Sequence, residues 1–74
     1  MNNKIRVGVV GGGIGKLHCE GYALLPDMFD LVGFCDLDER RRNTFKDAYN
    51  FTFVTDSFDA LCARNDIDVI NICT

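Results

Sequence analysis

The stretch "VGVVGGGIGKLH", Val7 to His18, decides the fold that the sequence predicts. It begins as a buried strand and continues as a helix, with a cluster of glycines between the two. The glycines fit G-x-G-x-G, from Gly11 through Gly13 to Gly15, and not the G-x-G-x-x-G of many dinucleotide-binding turns. Glycine allows a sharp turn and lets another group approach the backbone closely. The stretch therefore predicts a strand-to-helix turn at which a ligand contacts the main chain.

An anion is the ligand that such a turn accepts best. A helix that starts directly after a buried strand points its unpaired N–H groups and the positive end of its dipole outward. We expect Gly11 to make the turn and Gly15 to let the helix pack close to the strand. Gly12 and Gly13 would let a pyrophosphate approach. A tight turn without a ligand is the alternative, but so many glycines carry a large entropic cost on folding.

An acidic residue follows at the spacing that dinucleotide binding requires. Asp36 lies 21 residues after Gly15, at the end of the second predicted strand. An acid about 20 residues beyond the glycines accepts hydrogen bonds from the adenosine ribose in dinucleotide folds. The alternative role is to cap the next helix, which Asp38 could equally supply. A carboxylate here would repel a 2′-phosphate, so we predict NAD rather than NADP. The arginines at 40–42 do not change this prediction, because we interpret them as a solvated helix face.

Strands and helices alternate along the whole chain. The order β-α-β-α-β-α-β predicts an α/β protein with a partial Rossmann fold, a doubly wound parallel sheet with right-handed crossovers. Short apolar strands between helices are typical of a sheet covered on both faces. The predicted strands are "KIRVGVV", "FDLVGFCD", "FTFVT" and "IDVINICT". The predicted helices begin at Ile14, at the segment "LDERRRNTFKDAY" and at "FDALCAR".

Apolar residues at helical spacing predict the first helix, and the pattern of apolar and charged residues predicts the inward face of the second. In the first helix they recur up to Pro26, at Ile14, Leu17, Gly21 and Leu24/Leu25. In the second helix we expect the apolar side chains to point inward and the charges outward. The inward residues predicted there are Leu37, Phe45 and Ala48.

Composition and charge narrow the possible partners of the 74-residue chain. With 47% hydrophobic and 26% charged residues it has the composition of a globular protein. A net charge of -3 offers no basic face for nucleic acid or anionic lipid. No stretch reaches transmembrane length, and the first apolar run is too short for a signal peptide. We therefore expect a cytoplasmic protein that binds neither nucleic acid nor membrane.

The cysteines and the single histidine predict neither a metal site nor a catalytic pair. The four cysteines contain no C-x-x-C pair, and Cys35 and Cys73 lie in apolar runs where free cysteine is a small buried hydrophobe. His18 and Cys19 are adjacent, and adjacent residues on a helix point about 100° apart. We expect His18 to pack the first helix against a neighbouring segment instead.

The sequence resembles the N-terminal part of the glucose-fructose oxidoreductase, inositol dehydrogenase and rhizopine-catabolism (Gfo/Idh/MocA) family. The resemblance spans the whole chain and rests on His18 three residues after the last glycine, on "CDLDERR", on "TD" and on "DVINICT". One residue is missing between the second and third glycines relative to the usual family turn. The resemblance implies NAD(P)-dependent oxidation of a sugar, polyol or related alcohol, with a second α/β domain over the nicotinamide, in a homo-oligomeric full-length protein.

The resemblance also implies that residues 1–74 are the N-terminal part of an NAD(P)-binding Rossmann domain, with the remainder and the substrate domain absent. The catalytic lysine of the family, in a Glu-Lys-Pro motif, and its later Asp/His pair would lie beyond the last residue. We therefore predict no catalytic residue and no activity for the chain alone. The predicted cofactor-binding residues are Gly11, Gly12, Gly13, Ile14, Gly15, Asp36 and Thr74.

Three other functions are compatible with parts of this pattern. A methyltransferase also has G-x-G-x-G and an acid after the second strand, but it usually carries an acid where this chain has Val9. A flavin monooxygenase begins with a similar "VVGGGIG", but its third glycine would fall at Lys16. A non-catalytic nucleotide-sensing module is compatible with every residue.

Overall fold

The computed structural model describes residues 4–73 and contains four strands and three helices in that range. Their alternation confirms the predicted order β-α-β-α-β-α-β. The predicted and observed ends differ by a few residues, because the terminal residues of several predicted strands lie in the irregular segments that connect the elements. The elements are β1 Ile5–Val10, α1 Gly15–Ala23, β2 Phe29–Cys35, α2 Glu39–Tyr49, β3 Phe53–Thr55, α3 Phe58–Cys62 and β4 Val69–Ile72.

The four strands form one sheet in the order β3-β2-β1-β4. All three strand pairs are parallel. The chain therefore moves outward from β1 through β2 to β3 and then crosses to the other side of β1 for β4. This is the order of the first four strands of the doubly wound dinucleotide-binding fold, so the predicted fold class is confirmed. The strand order reverses beside β1, and ligands bind at the carboxyl ends of the strands at such a point.

Aromatic side chains form the centre of the core between the sheet and α2. The Phe34 ring stacks on Phe45 with centroids 4.4 Å apart, and the Phe51 centroid lies 5.4 Å from that of Phe34. Valines of β1 and cysteines complete the same cluster of buried residues. Its buried members are Val7, Val9, Cys19, Phe34, Phe45, Phe51 and Cys73.

The face of α1 that packs on the sheet carries small residues instead of the large apolar ones. Gly15 and Cys19 are its buried residues, whereas Leu17 is 71% exposed and Leu24 is 81% exposed. The apolar residues that recur at helical spacing in the sequence therefore form the outer face of the helix. The close approach of Gly15 to the sheet explains this orientation, because a helix so near a strand has room only for small side chains below it.

The prediction for the inward face of α2 was right for one residue and wrong for two. Phe45 is buried as predicted. Leu37 is 87% exposed, because the helix begins only at Glu39 and Leu37 lies on the turn before it. Ala48 is exposed as well. Half-buried Tyr49, whose ring centroid lies 5.5 Å from that of Phe45, packs against the core at the end of this helix.

Side chains cap the second and third helices. Asp38 accepts hydrogen bonds from the N–H groups of Arg40 and Arg41 at the start of α2. Ser57 accepts one from the N–H of Ala60 at the start of α3. The choice that the sequence left open between Asp36 and Asp38 is thereby decided, since Asp38 is the cap. Asp36 is available for another role.

The cysteines of the described part of the chain are all free thiols. Cys35 and Cys73 are buried, as the sequence predicts, and Cys19 is buried with them. Between residues 4 and 73, no three histidine, cysteine, aspartate or glutamate side chains come together as ligands for a metal ion. None of the helices in that range has the length and apolar character needed to span a membrane.

Candidate nucleotide-binding site

Backbone hydrogen bonds align the carboxyl ends of the strands at one edge of the sheet. The N–H of Gly11 donates to the carbonyl of Cys35 at 2.9 Å, immediately after β1. The N–H of Cys73 donates to the carbonyl of Val10 at 2.8 Å, immediately after β4. The N–H of Asp36 donates to a β3 carbonyl at 3.1 Å. The structure therefore brings the glycine turn and Asp36 to the same edge.

Gly11 and Gly15 have the backbone geometry that the sequence predicts for them. Gly11 has a φ of 92°, a conformation that residues with a Cβ rarely adopt, and here the chain turns from β1 towards α1. A Cβ added to Gly15 would lie 3.4 Å from Cγ1 of Val9 and 3.7 Å from Cβ of Cys73. The helix therefore lies directly against the ends of β1 and β4.

Gly12 and Gly13 have different surroundings. A Cβ added to Gly13 would have no atom within 4 Å, so a ligand can approach this residue freely. A Cβ added to Gly12 would overlap the Cγ and Cδ atoms of Arg41, whose aliphatic chain lies over that glycine. Of the two, Gly13 offers the open approach that a phosphate needs, and Gly12 makes room for an arginine.

The first turn of α1 has unpaired backbone donors. Its N-cap position, Ile14, makes no side-chain capping bond, and its first turn contains no acidic residue. Within residues 4–73, no acceptor receives a hydrogen bond from the N–H groups of Gly13, Ile14 or Gly15. The other two helices have a capping side chain and an acidic residue in the first turn. Since the helix dipole is positive at this end, an anion would satisfy the three donors.

Asp36 joins the glycine turn to the start of α2. One carboxylate oxygen accepts from the N–H of Gly12 at 2.8 Å, and the other accepts from the N–H of Asp38 at 2.8 Å. Burial favours a raised pKa for this carboxyl group, but the hydrogen bonds from Asp38 and Gly12 and the nearby Arg41 guanidinium outweigh it and lower the pKa. Asp36 is therefore an anion at neutral pH, directly beside the glycines.

Two arginines of α2 contact Asp36, which the interpretation of 40–42 as a solvated face did not predict. Nη1 of Arg41 lies 3.4 Å from a carboxylate oxygen of Asp36. Nη1 of Arg42 donates to the Asp36 carbonyl at 2.8 Å. The signal that could have revealed them is the cap at Asp38, because a helix that begins right after this residue places its first turn next to the end of β2.

An apolar cavity of about 360 Å³ has Asp36 in its wall. Exposed Leu37 and half-exposed Phe58 form part of its wall, together with residues at the ends of β1 and β2. Phe58 was not predicted as a site residue, since an apolar first residue of a short helix carries no distinctive pattern in the sequence. The cavity is lined by Val10, Gly11, Cys35, Asp36, Leu37, Asp56 and Phe58.

His18 and Cys19 take no part in a catalytic pair. The imidazole Nδ1 of His18 lies 3.2 Å from the side-chain nitrogen of Asn71 in β4, so His18 contacts a neighbouring segment as expected. Burial, with smaller contributions from Cys73 and Glu20, raises the pKa of the Cys19 thiol to about 12. A thiol this difficult to ionise is not a nucleophile at neutral pH.

Thr74, the last predicted site residue, lies outside the described residues. Its neighbour Cys73 is hydrogen-bonded to the end of β1.

The comparisons with known proteins agree with this geometry. The family Gfo/Idh/MocA, described as an oxidoreductase family with an NAD-binding Rossmann fold, matches residues 5–74. The chain belongs to this family. Its cofactor is therefore NAD, as predicted, and the methyltransferase and flavin monooxygenase alternatives do not apply.

Three relatives show how far the Gfo/Idh/MocA similarity extends. The uncharacterized oxidoreductase YrbE of Bacillus subtilis is 31% identical over 75 aligned positions, which cover 100% of this chain and 22% of YrbE. A structure of a putative myo-inositol dehydrogenase from Sinorhizobium meliloti is 32% identical, with a TM-score of 0.84, over 96% of this chain and 21% of that one. The WlbA dehydrogenase of Bordetella pertussis, in complex with NADH and UDP-GlcNAcA, is 29% identical, with a TM-score of 0.87. The match covers 97% of this chain and 22% of WlbA.

The chain thus spans about a fifth of the length of these relatives, 22% in the case of YrbE. The matched fifth is the NAD-binding region of the family.

Proposed function

We propose that the chain is the N-terminal part of the dinucleotide-binding domain of an NAD-dependent oxidoreductase that acts on a sugar, polyol or related alcohol. The observation that carries the proposal is the set of three unpaired N–H groups, at Gly13, Ile14 and Gly15, beside the open approach to Gly13. A dinucleotide supplies the pyrophosphate that would satisfy them.

The rest of the site fits the other parts of NAD. Asp36 is an anion with oxygen atoms that can accept hydrogen bonds from the ribose hydroxyls. The apolar cavity beside Asp36, with Leu37 and Phe58 in its wall, suits an adenine ring. The proposed cofactor-binding residues are the five from Gly11 to Gly15 together with Asp36 and Thr74.

The cofactor and the residues of this chain have different roles in the proposed reaction. When bound, NAD supplies an acceptor for the hydride that leaves the alcohol carbon. The residues of this chain would bind and orient the dinucleotide, and none of them is proposed to exchange a proton with the substrate. The substrate class rests on the relatives, one named a putative myo-inositol dehydrogenase and another solved with UDP-GlcNAcA.

Two properties of the whole protein are part of the same proposal. We propose a cytoplasmic location, because three of the four cysteines are buried free thiols, which suits a reducing compartment. We propose a homo-oligomer for the full-length protein, on the family resemblance alone.

The first test separates binding from turnover. The chain is titrated with NAD by calorimetry and is then incubated with NAD and myo-inositol while absorbance at the NADH band is followed. We expect binding without NADH formation, because the proposal assigns no residue of this chain to remove the proton of the alcohol. No binding would refute the proposed function. Turnover would show that the chain contains catalytic residues that the proposal lacks. A full-length protein that binds NAD but oxidises no member of a panel of sugars and polyols would favour a nucleotide-sensing module.

The second test concerns Asp36. We expect Asp36→Asn to weaken NAD binding about tenfold, because hydrogen bonds to a charged acceptor are roughly twice as strong as those to a neutral one. The amide oxygen can still accept from Gly12, so the turn should be kept. Affinity is measured by calorimetry, with Asp30→Asn as control, since Asp30 lies at the opposite end of β2. Equal loss in both variants would contradict the assignment of Asp36 to the ribose.

A further inference from the structure

One carboxylate in the wall of the apolar cavity receives no hydrogen bond from the described part of the chain. Asp56 belongs to that wall and lies directly after β3. Its two neighbours are bonded to each other, because the hydroxyl of Thr55 accepts from the N–H of Ser57 at 3.0 Å, and Ser57 caps α3. Within residues 4–73, no donor bonds to the exposed carboxylate of Asp56. The turn and the helix start therefore do not use this side chain.

The other carboxylate in the same wall is already compensated. Asp36 accepts from two backbone N–H groups and contacts the Arg41 guanidinium. Asp56 has no such contacts in residues 4–73, so it supplies the uncompensated negative charge of the cavity. The charge acts on the cavity wall, because burial first and then Asp36 and Asp56 raise the pKa of the Cys35 thiol. A ligand group that lies next to Asp56 must therefore be a hydrogen-bond donor, since a carboxylate only accepts.

The positions of the two carboxylates along the sheet fit an adenosine. The N–H of Asp36 donates to the carbonyl of Thr55 at 3.1 Å, so the ends of β2 and β3 lie side by side. The Asp36 carboxylate bonds to Gly12 after β1, whereas Asp56 follows β3, on the opposite side of β2. A ribose at Asp36 with its base in the cavity therefore directs the base towards the β3 side, where Asp56 lies.

Adenine offers the donor that this carboxylate lacks. Its N6 amino group donates hydrogen bonds, whereas N7 and N3 are acceptors. The apolar wall, which includes Leu37 and Phe58, suits the faces of the ring but cannot bond to its polar edge. Asp56 is the acceptor of that wall that is still available to the amino group.

We propose that Asp56 is a specificity-determining residue that accepts a hydrogen bond from the N6 amino group of the bound adenine. It would thereby select the adenine dinucleotide against one that carries an oxygen at this position of the base. The inference rests on the proposed function, because it places the ribose at Asp36 and the base in the apolar cavity.

The test compares NAD with nicotinamide hypoxanthine dinucleotide, which has an oxygen in place of the N6 amino group. That oxygen is an acceptor and is repelled by the Asp56 carboxylate, whereas the amide of an asparagine can donate to it. Calorimetry gives both dissociation constants for the chain and for Asp56→Asn. We expect the variant to lower the ratio of the hypoxanthine-dinucleotide constant to the NAD constant at least about fivefold, the effect of one hydrogen bond of ordinary strength.

Asp59→Asn is the matched control. Asp59 lies in the first turn of α3, three residues after Asp56, and does not belong to the cavity wall. The substitution removes the same charge nearby, and it should leave the ratio within about twofold, because the effect of an exposed charge outside the cavity is screened by salt. Circular dichroism checks that both variants keep the fold.

The other outcomes distinguish the inference from the proposed function. Equal affinity of the unaltered chain for the two dinucleotides, or an equal change of both constants in Asp56→Asn, would overturn the inference, since Asp56 would then not recognise the base. Failure of the unaltered chain to bind NAD would instead refute the proposed function. Asp56→Ala adds a further check, because alanine removes the acceptor without supplying a donor and should give an intermediate ratio.

Discussion

Replacing Gly13 with valine is expected to weaken NAD binding at least about 100-fold while the fold is kept, a loss of about 2.8 kcal/mol. A Cβ at this residue would meet no protein atom within 4 Å, so the protein itself has room for the larger side chain. That same open space is where the pyrophosphate must come to reach the N–H groups of the helix start. The valine methyl groups would occupy it. Calorimetry gives the affinity, and far-UV circular dichroism shows whether the fold persists.

Gly21→Val is the matched control for this substitution. Gly21 lies in α1, the helix that follows the glycine turn, and a Cβ there would also have no atom within 4 Å, but Gly21 is removed from the turn itself. It should therefore bind NAD with nearly unaltered affinity. If Gly13→Val retained normal affinity, the pyrophosphate would not lie at this turn, and a fold lost in Gly13→Val alone would mean that the chain itself needs this glycine.

Much of the fold could be predicted from the sequence because the local and the long-range signals agree. The short apolar strands, the glycine turn after β1 and the caps at Asp38 and Ser57 all indicate one alternating order. A chain in which strands and helices alternate has few possible sheet topologies, because its crossover connections are right-handed. The orientation of α1 was harder to predict. The buried face of α1 is determined by how closely Gly15 approaches the sheet. The spacing of apolar residues in the sequence does not reveal this distance.

Some residues of the candidate site could likewise be predicted from the sequence and others could not. The glycine turn and Asp36 have a recognisable spacing, because a dinucleotide imposes fixed distances on the backbone. Arg41 has no such spacing, since a long flexible side chain can reach Asp36 from several positions on a helix. Leu37 and Phe58 form a cavity only when β2 and the start of α3 are brought together. Such contacts between separate elements are visible in the structure and leave no periodic pattern in the sequence.

Replacing Phe34 with alanine is expected to remove most of the stability of the chain. Phe34 is fully buried, stacks on Phe45 and lies against Phe51, so its loss leaves a cavity among aromatic rings. Phenylalanine-to-alanine changes in a core lower the free energy of unfolding by about 3–5 kcal/mol. A domain of this size has only about 4–11 kcal/mol in total. The small aromatic core therefore depends on this one ring to a greater extent than a larger domain would.

Urea unfolding followed by circular dichroism measures the effect, because the chain has no tryptophan to serve as a fluorescent probe. Phe58→Ala is the control, since it deletes the same group from a residue that is 45% exposed. Phe58→Ala should lower the free energy of unfolding by less than about 1 kcal/mol. Equal costs in the two variants would mean that the Phe34, Phe45 and Phe51 cluster does not hold α2 on the sheet. A large loss of stability confined to Phe34→Ala would show that the aromatic packing between the sheet and α2 stabilises the chain.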